Sequence, residues 1–132
     1  MAYVICFRTA RFDISGETAN PINPIAGQSV LNWLRQELAQ HNFQSTEPGT
    51  EDWGWYIDVQ AGGASYLVGA SADAEERAAL VEWTVQVHRS RSLRDRLFGA
   101  NKMTPDDPLA TLVERIIRAD AAIEVTSVDR EP

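Results

Sequence analysis

The chain has little of what most enzymes and exported proteins need. It carries one cysteine, two histidines and no apolar run of about 18 residues. Cys6 alone cannot close an intramolecular disulfide, and an ordinary cysteine-based zinc site lacks its ligands. It lies inside YVICF, where a thiol reads as buried and inert. The missing apolar run excludes a spanning helix, and the opening MAYVICFRTARFD lacks the basic leader and apolar core of a signal peptide. A reduced, cytoplasmic setting is expected, with no membrane contact. Basic residues are also scarce, 12 against 19 acidic, for a net charge of −7. That disfavours nucleic acid, whose non-specific binding is driven by phosphate neutralisation. There is no glycine-rich phosphate loop, nucleophile elbow around Ser90 or Ser92, zinc-finger spacing or RNP-type aromatic pattern. No cofactor and no metal is expected.

What is present suits one domain over residues 1–132. Residues 3–12 alternate as a strand, with Tyr3, Ile5 and Phe7 on one side and Val4 and Cys6 on the other. Asn20-Pro21 and Asn23-Pro24 have the form of helix cap and first-turn pairs. Residues 27–42 predict an amphipathic helix with Val30, Leu31, Leu34 and Leu38 as its stripe, Trp33 at the edge and His41 near its end. Residues 44–52 read as a loop. DWGWYIDVQ and AGGASYLVGAS then predict a hairpin about Gly62-Gly63, because tight primed turns need positive φ. That turn pairs Val59 with Tyr66, Ile57 with Val68, Trp55 with Ala70 and Trp53 with Ala72 on one face, and Tyr56 with Gly69 and Asp58 with Leu67 on the other. DAEERAA is a solvated connector or a short helical turn, LVEWTVQVHR a third strand, and SRSLRDRLFG a short helix stopped at Gly99. TPDDPLATLVERIIRAD predicts a helix capped by Thr104, with Pro105 at N1 and Asp107 at N3. A strand over 122–128 completes the order β-α-β-β-β-(α)-α-β. The expected fold is α+β, a two-layer sandwich of a mainly antiparallel sheet on two helices.

The aromatic and basic residues carry the functional reading. Trp55 and Trp83 share the inward parity and read as core; Trp53, at a strand start, stands between core edge and recognition surface. Tyr56 points to the other face, where it can lie across Gly69 and serve as an exposed aromatic contact. Arg89, Arg91, Arg94, Arg96 and Lys102 crowd into fourteen positions opposed only by Asp95, so they suit docking on an acidic partner. His88 with Glu82 is the catalytic alternative, a small hydrolase or transferase site beside the arginines. Asp106 and Asp107 read as helix-start carboxylates rather than metal ligands. Asp52 and Asp58 are too far apart on a strand to work as an acid–base pair.

DWGWY, the glycine hairpin, YLVGAS and LRDRLFGANKMTPDDPL together resemble an uncharacterised family of small bacterial proteins; the resemblance implies no activity and transfers no functional residue. In size and acidity the chain also resembles small bacterial immunity proteins and adaptors. The expected function is therefore non-catalytic protein binding or regulation, of an immunity-type inhibitor or adaptor. Its candidate surface is Trp53, Tyr56, Arg89, Arg91, Arg94, Arg96 and Lys102. A structural homodimer using an exposed sheet face or edge is a further alternative.

Overall fold

A computed structural model describes residues 2–75 and 79–130. Alternation of apolar and polar residues produces the strands β1 (Tyr3–Thr9), β5 (Gly54–Ala61), β6 (Ala64–Asp73) and β7 (Val81–Arg89). Short strands β2 (Ile25–Ala26), β3 (Gln44–Ser45) and β4 (Gly49–Glu51) and the terminal β8 (Glu124–Asp129) complete one eight-stranded antiparallel sheet. Its main order is β3-β5-β6-β7-β1-β8, with β4 on β5 and β2 on β6. Helices α1 (Gln28–Gln40) and α3 (Pro108–Ala119) cover one face, and the short α2 (Leu93–Phe98) follows β7. This is the expected α+β sandwich. Part of the 73–79 connector, residues 76–78, lies outside the described residues.

The core forms where the inward rows meet the helix stripes. Ile5, Phe7, Trp55, Ile57, Val68, Trp83, Val85 and Val87 are buried under Leu31, Leu34, Leu38, Val113 and Ile117. Each such aliphatic or aromatic side chain contributes about 1.5–3 kcal/mol on full burial. Gly62 and Gly63 turn the β5–β6 hairpin at φ 55° and 84°, and the pairs from Trp55–Ala70 to Val59–Tyr66 form as the turn dictates. Neither α1 nor α3 covers the opposite sheet face. Cys6, placed there by parity, is half-buried, with Sγ 3.8 Å from Thr84 Oγ1.

Four local expectations are corrected. Residues 44–51 contain β3 and β4, because the long β5 offers its free edge to polar residues with no pattern of their own. Trp53 leaves the ladder and does not pair with Ala72, which pairs with Ala26 of β2 instead. Neither Asn20 nor Asn23 caps a helix: α1 begins after Gly27, and the carboxylate of Glu17 accepts from the amides of Gly27, Gln28 and Ser29. The cap of α3 is Asp107, not Thr104, with Pro108 at N1 and Asp107 Oδ1 accepting from Leu109 and Ala110 at 3.0 Å.

A second carboxylate ties the chain ends to the helix layer. Glu114 on α3 is only 8% exposed. It accepts from the Tyr3 hydroxyl on β1, from Arg118 Nε at 2.8 Å and from Arg130 Nη2 at 2.7 Å. Burial raises its pKa, but these donors outweigh burial and hold it at about 2. A depressed carboxylate contributes stability above its unfolded value of 4.5 that is lost as pH falls toward 2. Glu114→Gln is therefore expected to destabilise the chain at pH 7 by roughly 1–3 kcal/mol. Urea unfolding at pH 7 and pH 3 checks this: the gap between wild type and variant should narrow at the lower pH.

Candidate functional site

The site is built around the turn between β4 and β5. Glu51 pairs with Gly54, so Asp52 and Trp53 are the two residues of a tight hairpin, and Gly54 adopts φ 151°. The turn is held from outside by two asparagines. Asn20 Nδ2 donates to the carbonyls of Glu51 and Gly54 at 3.1 Å, and Asn23 Nδ2 donates to that of Asp52 at 2.7 Å. Their neighbouring prolines keep this loop from becoming helix. Held in this way, Trp53 lies on the open sheet face over Gly69. A Cβ at Gly69 would stand 2.6 Å from the six-membered ring, so glycine is what lets the indole rest on the sheet. Tyr56, expected over Gly69, leans instead on Gly49, where a Cβ would stand 2.8 Å from its ring. Gly49 and Gly69 flank Tyr56 on either side, and Trp53 has taken the second seat.

Beyond Trp53 the open face continues into the segment after β7. Ser92 and Asp95 form a reciprocal capping box that starts α2, and Gly99 ends it at φ 66°. Arg91 closes the segment on itself, donating to the carbonyls of Ala100 and Asp95 at 3.1 Å. The result is a groove of about 1050 Å³ between Trp53 and this segment. Leu67, Gln86 and His88 form its floor; Arg91, Arg96, Lys102 and Met103 form its far wall. No carboxylate among the described residues lines it, although the chain as a whole is at −7. Among the described residues Arg96 and Lys102 form no ion pair, while Arg91 interacts electrostatically with Asp95. Leu93, Leu97 and Phe98 on the adjoining α2 are each about three-quarters exposed.

Arg89 has a different part. Its Nη1 lies 3.0 Å from the Tyr66 hydroxyl and 3.3 Å from Asp107 Oδ2, while its Nη2 donates to Asn101 Oδ1 at 3.0 Å. Tyr66 in turn donates to Asp107 at 2.9 Å. Burial first, and donation to Asp107 second, push the Tyr66 hydroxyl up to about 12. Arg89 is thus spent internally, and its role is to fix where the basic segment leaves β7.

Of the residues singled out from sequence, Trp53, His88, Arg89, Arg91, Arg96 and Lys102 border one groove. Tyr56 lies apart beside β4, and Arg94 turns away to place its guanidinium 6.0 Å from the Phe98 ring centre. His88 contacts Gln86 Oε1 at 3.0 Å. Glu82 does not join it: six residues along β7 separate them by roughly 20 Å, and Glu82 borders a different recess with Asp73 and Thr84. Leu67, Gln86 and Met103 were not singled out. The first two have outward parity, but only the fold of Trp53 onto the face makes them a floor. A second hollow of about 1040 Å³ lies beside residues 10–26, but its charged groups are engaged. Glu17 holds the start of α1, Asp13 caps a short turn, and Arg11 pairs with Asp120 at 3.0 Å.

Among the described residues no group of three or more potential metal ligands clusters, and no helix is long and apolar enough to cross a membrane. Comparison with protein-family models, curated proteins and solved structures finds no match.

Substitutions at Gly69, Trp53 and Asp107 test this arrangement. Gly69→Ala is expected to cost about 1–3 kcal/mol by displacing Trp53, and appreciably less in a Trp53→Ala background. Urea denaturation of the four forms checks it; equal costs in both backgrounds would mean that the ring is not what the new methyl meets. Asp107→Ala removes the cap and strands Arg89, for an expected loss of roughly 3–5 kcal/mol. Asp107→Asn keeps a capping oxygen and should lie between that variant and wild type in the same measurement.

Proposed function

We propose that the chain is a non-catalytic protein-binding protein of the inhibitor or adaptor kind, which docks an acidic segment of a partner in the groove between Trp53 and residues 91–102. One observation carries this reading: a groove bordered by Arg91, Arg96 and Lys102 and, among the described residues, by no carboxylate, in a chain of net charge −7. Unpaired cations gathered in one place within an acidic protein repel each other, and an anionic partner relieves that repulsion. Trp53, Leu67 and Met103 give the same groove an apolar side, and Leu93, Leu97 and Phe98 extend it along α2. Exposed aromatic and aliphatic groups ringed by arginine are the composition of a protein contact. A catalytic role has less support, because Glu82 does not approach His88.

Affinity capture from cell lysate with tagged wild type and an Arg96→Glu/Lys102→Glu variant tests the reading. The expected result is a partner retained by wild type, released as salt rises, and retained at least about tenfold less by the variant. Equal retention by both forms would refute the groove as the docking site.

A further inference from the structure

The open sheet face is bipolar along its strands. At the C-terminal end of β7 lies the basic groove. At the N-terminal end lies a smaller recess of about 560 Å³, bordered by Asp73, Glu82, Ser71 and Thr84 and, among the described residues, by no cation. Trp53 borders both and stands between them. Arg8 faces Glu82 across the β1–β7 ladder, yet it is already committed to Glu124, with Nε 2.6 Å and Nη2 3.2 Å from the carboxylate oxygens. Among the described residues Asp73, Glu82 and Glu124 outnumber Arg8, which also acts on Glu82, so this end of the face is net negative. Glu82 and His88 mark the two ends, six residues and roughly 20 Å apart.

Such a face complements itself. A second copy rotated by a two-fold axis that lies parallel to the sheet and runs across its strands lays one open face on the other with strand direction reversed. Each basic groove then meets the partner copy's acidic recess, twice over by symmetry, and both Trp53 rings come to the region of the axis. Every contact residue serves two equivalent contacts, as a closed two-fold interface requires. A purely basic or purely acidic face placed on itself would repel. We infer that the occupant of this face is a second copy of the chain, in a face-to-face dimer with Arg96 and Lys102 of one copy opposite Asp73 and Glu82 of the other. The inference rests on the reading of this face as a protein-binding surface and names its partner.

A charge-swap experiment decides it. Sedimentation velocity over a concentration series should show wild type passing from monomer to dimer, with association weakening as salt rises. Arg96→Glu/Lys102→Glu, and separately Asp73→Lys/Glu82→Lys, should each weaken self-association by roughly tenfold or more. An equimolar mixture of the two variants should recover a heterodimer, because both of its charge contacts are again of opposite sign. Circular dichroism matching wild type shows that the exposed substitutions leave the fold intact. Wild type that stays monomeric throughout overturns the inference, as does a mixture that associates no better than its components. If a monomeric wild type still captures a different acidic protein through Arg96 and Lys102, self-pairing fails while the docking reading stands. If neither self-association nor capture depends on those two residues, both fail.

Discussion

The whole arrangement hangs on a carboxylate with almost no access to water. Asp107 is 1% exposed, and a bare charge there would be untenable. Its two oxygens divide the compensation. One oxygen accepts from two amides and so starts α3; the other meets Tyr66 on β6 and Arg89 at the end of β7. One side chain therefore sets the helix layer against the sheet and fixes the direction in which residues 90–102 depart. Without it the basic segment would lose its anchor at Arg89, and the groove would lose its far wall. A second nitrogen of Arg89 reinforces this, since Nη2 reaches Asn101 near the other end of the same segment.

The near wall depends on a different kind of constraint, an absence of atoms. Trp53 can lie on the sheet because Gly69 offers no Cβ, and it stays there because Asn20 and Asn23 hold the carbonyls of its turn. The loop that supplies those amides also supplies Glu17 to the start of α1. Packing on the covered side and placement on the open side are thus joined through one irregular segment. This explains why residues 10–26, poor in regular structure, carry so many side-chain to main-chain hydrogen bonds. Each satisfies a group that secondary structure leaves unpaired.

Sequence reading succeeded where the controlling interaction was local. Period-two alternation and Gly62-Gly63 specify the β5–β6 register, and the apolar stripes specify α1 and α3. Gly99 marks the end of α2 because it acts within the last turn, whereas the Ser92–Asp95 capping box that starts the helix is seen in the structure. It failed where a distant partner decides. Thr104 and Asp107 are both competent caps, and Tyr66, 41 residues away, is part of what favours the second. Asn20 and Asn23 look like caps because their cap chemistry is local, whereas the carbonyls they actually reach lie about thirty residues further on. The error at Trp53 followed from the error at residues 44–52. With β4 unseen there was no second hairpin, so Trp53 was carried along the parity of β5 when it belongs to a turn. The basic run was legible as charge, but its meeting with Trp53 was not.

The separation of charge on the open face sharpens what the net charge means. A total of −7 keeps copies apart at long range, but screening confines that repulsion to about 8–10 Å at ordinary ionic strength. At contact distance the local pattern takes over. In the proposed face-to-face pairing, Asp73 and Glu82 at one end meet Arg96 and Lys102 at the other with opposite sign, and an aromatic ring stands between them. Repulsion at a distance with selective attraction at contact favours a specific pairing over random association, because misaligned encounters bring like charges together. Asp107 anchors through Arg89 the segment that carries Arg96 and Lys102, and Gly69 with the two asparagines seats Trp53, so precision in the core is what gives this end of the surface its direction.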